Sequence, residues 1–259
     1  MGLGAAVNAL TLGPNLYPLV LSRLNRHTLG QSLSFFDDDF AGRIAQKQQQ
    51  TARAITDVVS ESVNTLGFAL SVEKLMGIEP SPYVQTIRVL MAELQRIASH
   101  TVAVGTYTMD IGAFTPFLYL LRDREKILDL FEWTCGARLL YNYNWVGGVS
   151  HDLPEGFVKA TRDLLREFDS VTFPELLDLI IHNRIFVRRL SHVGVCSPEI
   201  AISHDLTGPN LRGSGIARDL RKDEPYCGYQ SYDFEVCVGK GQYGPVGSCF
   251  DRNWVRVVE

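Results

Sequence analysis

The carboxylate of Asp110 stands out among the side chains that could do chemistry, because its surroundings in the sequence are apolar. A stretch rich in valine and ending at Met109 precedes it, and Ile111-Gly112-Ala113-Phe114 follows. We therefore expect Asp110 to be at least partly buried, where a carboxylate must be paired, hydrogen-bonded or neutral. Such a residue serves the fold as a helix N-cap or as one partner of a buried pair, or it belongs to a functional site. The residues alone leave these alternatives open.

The other reactive side chains do not form a recognisable metal or nucleophile site. Adjacent residues such as Ser150-His151-Asp152 cannot converge on one substrate atom, since catalytic triads are assembled from separate segments. Arg212-Gly213-Ser214-Gly215 lacks the spacing and the Lys-Ser/Thr ending of a phosphate loop and predicts a tight turn. The histidines have no H-x-x-x-H spacing, and the cysteines have no C-x-x-C spacing. The residues concerned are His100, His151, His182, His192, His204, Cys135, Cys196, Cys227, Cys237 and Cys249.

Composition indicates a globular chain and excludes a nucleic-acid-binding protein. The sequence has 259 residues, of which 46% are hydrophobic, so it can bury a sizeable core. Its net charge is -4, with no concentrated basic stripe. The five cysteines are an odd number, which favours reduced thiols over a disulfide framework. Residues 1–22 carry no charge but contain prolines and asparagines, and they predict at best a partial transmembrane helix.

Apolar residues at three- and four-residue steps predict the elements that must position these groups. The predicted helices are 39–59, 64–76, 84–105, 122–138, 155–169 and 173–190. Glycine and proline are dense after Cys196 and predict loops and short strands there. A mixed charge cluster at 219–223 predicts local ion pairs, with contact to a partner subunit as the alternative. The last residues, 254–259, form a run that fits a strand or the start of a helix, as if the chain were cut there.

Several segments in a fixed order resemble the 49-kDa-type subunit of NADH:quinone oxidoreductase, which is respiratory complex I. They are TIRVLMAELQRIASH (86–100), MDIGAFTPF (109–117), LRDREKILDLFEWTCGAR (121–138), GGVSHDLPEGF (147–157), TGPNLRGSGIARDLRK (207–222) and DRNWVRV (251–257). NTLGFALSVEKLMGIE (64–79) resembles a divergent start of the same domain. This resemblance implies a partial domain over residues 62–259, truncated at both ends.

The resemblance implies a mainly α (α+β) fold with a helical core similar to the large subunit of nickel–iron hydrogenases and a small loop- and strand-rich C-terminal part. Because no C-x-x-C is present to hold nickel and iron, the quinone-reducing branch is favoured. The implied function is that of a subunit of a proton-translocating respiratory-chain NADH:quinone oxidoreductase, forming part of the quinone-binding cavity beside the terminal iron–sulfur cluster of a neighbouring subunit.

The same resemblance implies the cofactors and partners. Quinone is the substrate, and no redox cofactor is expected on this chain. NAD binding as NADH, FMN and the iron–sulfur clusters are expected in partner subunits of the peripheral arm. Partners are the other peripheral-arm and membrane-arm subunits and not nucleic acid. The expected location is peripheral, on the cytoplasmic face of the bacterial inner membrane.

By resemblance, Asp110 is the quinone-site carboxylate that pairs with a histidine of an N-terminal loop and helps deliver a proton to the reduced quinone. That histidine and the quinone-bonding tyrosine of the family have no counterpart here. Tyr141 and Trp145 stand where the family has a histidine near the terminal cluster and an arginine. A tyrosine, with an ordinary pKa of about 10, does not titrate near neutral pH. We therefore expect this aromatic pair to serve core or interface packing.

Residues 21–61, LSRLNRHTLGQSLSFFDDDFAGRIAQKQQQTARAITDVVSE, resemble instead the membrane domain of ABC exporters near a coupling loop. Asp37, Asp38 and Asp39 within it are interpreted as a cap on the helix that follows. This second resemblance predicts a chimera with a foreign helical segment over residues 1–61. The alternative function is accordingly a chimeric or truncated fragment that keeps at most a surface for subunit interaction.

Overall fold

The computed structural model describes residues 66–139 and 141–259. The predictions for 1–22, for the helix at 39–59, for the exporter-like segment 21–61 and for a domain boundary near residue 61 lie outside these residues and stay predictions. The described chain forms two compact units. Unit one comprises residues 66–80 and Asn142–Ser150, and unit two comprises Ser81–Tyr141 and His151–Glu259.

Unit one consists of a helix and a two-residue hairpin. Its elements are α1 (Leu66–Met76), β1 (Asn144–Trp145) and β2 (Gly148–Val149), the strands pairing antiparallel with Trp145 opposite Gly148. Gly147 turns the hairpin with a φ of +81°. Its N–H donates to the carboxylate of Glu73 at 2.7 Å, and Glu73 is 3% exposed. A helix carboxylate thus holds the tip of the hairpin.

Unit two is helical. Its α-helices are α2 (Pro82–Asp110), α3 (Phe114–Cys135), α4 (Phe157–Glu167), α5 (Phe173–Leu176), α6 (Arg184–Leu190), α7 (Pro198–Ser203), α8 (Gly208–Gly213), α9 (Leu220–Asp223) and α10 (Cys249–Val258). Wide π-helical turns at Phe168–Thr172 and Leu177–Ile181 flank α5, and a 3₁₀ turn spans Tyr229–Ser231. The long helices α2 and α3 pack along each other. The helical fold class is therefore confirmed, while the hydrogenase-like arrangement stays a prediction.

Helices α2 and α3 are longer than their patterns predict. Ser81 caps α2 by accepting a hydrogen bond from the Val84 N–H at 3.4 Å, and Pro82 occupies the first turn. At its other end α2 runs on to Asp110. Helix α3 begins at Phe114 rather than at residue 122, because the apolar residues before the charged stretch continue the helix.

The prediction of two helices at 155–169 and 173–190, separated by a turn, is wrong about where the chain breaks. The backbone stays helical from Phe157 to Ile181 through the two wide turns and breaks at His182–Asn183. Pro174, which has no N–H to donate, follows the first wide turn. Asn183 then starts α6, its side chain accepting a hydrogen bond from the Ile185 N–H at 2.9 Å.

The prediction of a loop- and strand-rich C-terminal part is right about the loops and wrong about the strands. In the described chain no strand follows Val149, and short helices connected by loops fill this region. The segments between glycines and prolines are short, and Ser197, Asp219 and Ser248 each cap a helix with a side-chain oxygen. The final run of apolar residues belongs to one more such helix, α10.

Ser248→Ala is expected to lower the free energy of unfolding by about 1 kcal/mol, because it removes the N-cap of α10. Ser248 is 1% exposed, and its hydroxyl accepts from the Asp251 N–H at 3.3 Å. Urea denaturation followed by circular dichroism measures the change. Ser203→Ala, at an exposed hydroxyl in the last turn of α7, is the control and should change stability by less than about 0.5 kcal/mol. Equal effects of the two substitutions would contradict the capping role.

A buried cluster holds the end of α2 in place. Its members come from α2, α3, α5, the second wide turn, α6 and α10 and are Val104, Leu120, Leu176, Ile180, Ile181, Phe186, Leu190 and Phe250. Tyr107, Ile111 and Cys249 pack on it as partly buried residues. The last turns of α2 and the start of α10 are thus fixed against each other. Among the described helices, none is long and apolar enough to cross a lipid bilayer.

Candidate functional site

Asp110 is the last residue of α2, and its side chain is exposed. The expectation of burial is therefore wrong, and so are the alternatives of an N-cap and a buried pair. The reason is the length of α2. Because the helix continues past residue 105, Asp110 leaves the buried stripe and lies at the carboxyl end of the helix, where the chain turns.

The turn after Asp110 is fixed by the backbone and by one arginine. Gly112 has a φ of +90°, which residues with a Cβ rarely adopt, and its N–H donates to the Met109 carbonyl at 3.0 Å. The guanidinium of Arg189, on α6, donates to the Ile111 carbonyl. The exposed carboxylate therefore lies at a helix end whose turn is held by these two hydrogen bonds.

Tyr107, three residues before Asp110 on α2, lies next to Cys249, and both pack on the buried cluster at the end of α2. Burial, followed by a hydrogen bond with the Cys249 side chain, raises the pKa of Tyr107 to about 12, and the charge of Asp110 contributes in the same direction. Cys249 is the first residue of α10, and Nη2 of Arg252 lies 3.2 Å from its sulfur. The phenol thus stays protonated at physiological pH and can act as a hydrogen-bond donor beside an exposed acceptor.

Sequence reasoning missed the residues that meet at the end of α2, which are Tyr107, Arg189, Cys249 and Arg252. One signal was present, since Tyr107 precedes Asp110 by three residues and therefore shares its helix face. Cys249 and Arg252 share the same spacing, but nothing in the sequence indicated that their helix meets the end of α2. In the parts of the chain that the structure describes, no three His, Cys, Asp or Glu side chains gather as metal ligands.

Tyr141 and Trp145 have different environments. The ring of Tyr141 lies 4.7 Å from that of Phe131, and its hydroxyl donates to the side chain of Gln95, so the expected core packing is confirmed for this residue. Trp145 is 55% exposed on β1, and its indole N–H donates to the Asn142 carbonyl at 3.0 Å. Trp145 therefore does not serve core packing, and interface packing stays a prediction for it.

Asp152 does not form a triad with its neighbours. Its carboxylate accepts a hydrogen bond from the Tyr83 hydroxyl at 2.7 Å and one from the Leu153 N–H at 2.8 Å. These two bonds are consistent with a structural role in the turn before α4.

The ion pairs predicted at 219–223 belong to a larger buried network. Arg221 binds Asp219 at 2.6 Å, as the local prediction requires, but it also binds Glu259 at 2.5 Å and Glu93 at 3.3 Å. Arg212, from the glycine-containing turn, is 3% exposed and pairs with Asp219 and Glu259 at 3.3 and 2.5 Å. We call these five residues the ion network.

Two carboxyl groups of the ion network, those of Asp219 and Glu93, have lowered pKa values. Burial on its own would raise the pKa of Asp219, but hydrogen bonds from Arg221 and the charges of Arg221 and Arg212 outweigh burial and lower it. The pKa of Glu93 is lowered in the same way, by Arg96, Tyr229 and Arg221 acting against burial. Both carboxylates are thus held in their charged form.

Comparison with known proteins identifies the family to which this chain belongs. A model of the family described as "Respiratory-chain NADH dehydrogenase, 49 Kd subunit" matches residues 110–259. The match begins at Asp110 and includes α3 to α10. The chain therefore belongs to the 49-kDa subunit family of respiratory-chain NADH dehydrogenases.

Curated relatives carry the name of the D-type subunit of NADH-quinone oxidoreductase. The protein from Chlorobium chlorochromatii is 48% identical over 203 residues, which are 78% of this chain and 50% of the relative. The D-type protein from Cytophaga hutchinsonii is 50% identical over 194 residues, 74% of this chain and 49% of the relative. The chain thus spans about half the length of the curated relatives it matches. Neither relative is named as an exporter, and the exporter resemblance of residues 21–61 stays a prediction.

Proposed function

We propose that this chain is a subunit of a proton-translocating NADH:quinone oxidoreductase and forms part of the quinone-binding cavity. Membership in the 49-kDa family supports the complex. The observation that supports the cavity is the exposed carboxylate of Asp110 at the end of α2, three residues after Tyr107, whose pKa its charge helps to raise. A quinone has two carbonyl oxygens that must each gain a proton on reduction, so its site needs positioned donors and acceptors.

In this proposal the chain itself carries no redox cofactor. NADH, FMN and iron–sulfur clusters act in partner subunits, and the terminal cluster of a neighbouring subunit passes electrons to the quinone. The chain would be peripheral, on the cytoplasmic face of the inner membrane, and would contact subunits of the peripheral and membrane arms. Trp145, exposed on the hairpin of unit one, fits a contact with such a partner.

Within the proposed cavity, Asp110 would accept a hydrogen bond from the quinol or from a partner group that relays the proton. The hydroxyl of Tyr107, protonated at physiological pH, would be a hydrogen-bond donor in the site. The family's histidine and tyrosine partners have no counterpart in this sequence.

The test is Asp110→Asn in the assembled complex. We expect inhibitor-sensitive NADH:quinone reduction to fall by about a hundredfold, which is typical of the loss of a proton-handling group. NADH oxidation with an artificial acceptor that takes electrons before the quinone should stay unchanged. Asp163→Asn, at an exposed carboxylate on α4, is the matched control and should leave both rates unchanged.

Two outcomes would overturn the proposal. One is quinone reduction by Asp110→Asn at the rate of the control. The other is purification of the chain without any iron–sulfur partner subunit, which would favour a non-catalytic chimeric fragment.

A further inference from the structure

We propose that Arg189 is a positioning residue for Asp110, which it holds in place through the turn that follows α2. This inference rests on the proposed function, because it concerns the carboxylate of the candidate quinone site. Arg189 lies on α6, and its guanidinium donates a hydrogen bond to the carbonyl of Ile111, the residue directly after Asp110. Arg189 therefore acts on the carboxylate through the backbone and not through a direct contact.

The end of α2 forms a Schellman motif that leaves the Ile111 carbonyl to be satisfied from outside the turn. The Gly112 N–H donates to the Met109 carbonyl at 3.0 Å. The Ala113 N–H donates to the Thr108 carbonyl at 2.9 Å. These two bonds, together with the positive φ of Gly112, define the motif. The carbonyl of Ile111, the cap residue, takes no part in them, and α6 supplies its donor.

The charge of Arg189 is favourable at this place as well. The carboxyl end of a helix carries a partial negative charge, so a carboxylate there is electrostatically unfavourable. Asp110 occupies this position on a helix of 29 residues. A guanidinium bound at the same turn offsets both negative charges. Among the described residues no carboxylate forms an ion pair with Arg189, so its charge is available to the helix end.

The same arrangement leaves the carboxylate of Asp110 free to bind a ligand. Its side chain forms no ion pair and no hydrogen bond within residues 66–139 and 141–259. If Arg189 bound the carboxylate directly, that pair would have to break before a quinol could approach. Because Arg189 binds the neighbouring carbonyl instead, the carboxylate keeps its place while its oxygens stay accessible.

Helix α6 is itself anchored, which gives the side chain of Arg189 a fixed origin. Phe186 is 2% exposed and Leu190 is 4% exposed, and both belong to the buried cluster that holds the end of α2. Asn183 caps the start of the helix. A substitution of the exposed Arg189 side chain should therefore change the turn after α2 and leave the packing of α6 intact.

The test compares substitutions of Arg189 in the assembled complex, with kcat and KM for quinone as the readout. Arg189→Met removes the hydrogen bond and the charge, and we expect kcat to fall about tenfold while KM stays unchanged. A loss confined to kcat indicates a group that acts in the transition state and not in substrate binding. Arg189→Lys keeps a cationic N–H donor for a single carbonyl, so it should keep kcat within about threefold of the unmodified complex.

Arg188→Met is the matched control. Arg188 precedes Arg189 on α6 and is also exposed, but in the part of the chain that the structure describes its side chain forms no hydrogen bond or ion pair. This variant should keep both kcat and KM. NADH oxidation with an artificial acceptor should be unchanged in every variant, and the amount of the chain in the purified complex measures assembly.

The proposal is overturned if Arg189→Met keeps the kcat of the control. It is also overturned if KM rises while kcat is kept, which would indicate direct contact with quinone. Loss of the chain from the complex in Arg189→Met, or equal losses of kcat in Arg189→Met and Arg189→Lys, would do the same.

Asp110→Asn, measured in parallel, separates this proposal from the proposed function. If Asp110→Asn keeps full quinone reduction, the proposed function itself fails. If Asp110→Asn loses activity and Arg189→Met does not, only the positioning role of Arg189 fails.

Discussion

Arg221→Met is expected to lower the free energy of unfolding by about 3–5 kcal/mol. The side chain of Arg221 is 9% exposed and forms ion pairs with Asp219, Glu259 and Glu93. Methionine fills most of the same volume but leaves these carboxylates short of a buried positive charge. The cost arises from the uncompensated charges that stay in the core, which is why a single residue has so large an effect.

The same network predicts the acid dependence of stability. The pKa values of Asp219 and Glu93 in the folded chain lie below their ordinary values of 3.8 and 4.5. Their ionised forms therefore stabilise the fold above about pH 4 to 5, and this contribution is lost as the pH falls through the lowered folded-state values. In Arg221→Met the free energy of unfolding should fall less as the pH is lowered, because the substitution removes the main cause of the lowered pKa of Asp219.

Chemical denaturation at about pH 7 and at several values down to about pH 3 measures both effects. Arg166→Met is the control, since its arginine is 78% exposed and pairs with Asp163 at the surface, where an ion pair contributes less than about 1 kcal/mol. An Arg221→Met variant within about 1 kcal/mol of the unmodified chain, or with an unchanged acid profile, would contradict the role of the ion network.

Gly247→Ala is expected to cost more than about 4 kcal/mol and to prevent stable folding of unit two. A Cβ at this position would lie 2.1 Å from the Cys196 carbonyl oxygen, and the glycine has a φ of +85°. Hydrogen bonds hold the backbone of residue 247 close to Cys196, so it cannot easily move to relieve this clash. The Gly247 carbonyl accepts from the Cys196 N–H at 2.9 Å and from Arg252 at 2.7 Å, and its N–H donates to the Gly213 carbonyl at 3.1 Å.

Gly208→Ala separates the two causes of this loss of stability, which are the steric clash of the new Cβ and the positive φ. Gly208 also has a positive φ, +59°, but a Cβ there would meet no atom within 4 Å. Its replacement should cost about 1–2 kcal/mol, the penalty of the left-handed conformation alone. Thermal unfolding followed by circular dichroism compares the two variants. If Gly247→Ala costs no more than Gly208→Ala, the close approach of residues 196 and 247 does not constrain the fold.

Local patterns predicted the helices well where one face is buried along the whole element. The stripe through Ile87, Leu94 and Ala98 predicted α2, and all three residues are 2% exposed. The end of the same helix was misjudged, because a helix stops where its caps and its neighbours allow it to stop. Arg189 reaches the turn after Asp110 from α6, and periodicity within α2 contains no information about that contact.

The region after Cys196 shows the same limit more strongly. Dense glycines predicted turns correctly, but the prediction of strands failed because short segments with a capping serine or aspartate can close one or two helical turns. Several of these glycines, such as Gly244 and Gly247, are needed where two backbones nearly touch. A sequence read in short windows does not reveal which distant carbonyl a glycine faces.

The sequence by itself determined the family, the helical class, the identity of Asp110 as the carboxylate to consider and the local pair of Asp219 with Arg221. These features depend on motif order or on residues a few positions apart. Tertiary structure alone decided that Asp110 is exposed, that Cys249 and Arg252 lie near Tyr107, and that Glu93 and Glu259 complete the ion network. The physical reason is that exposure, pKa and charge balance depend on which helices pack together, and those contacts join residues that are far apart in the sequence.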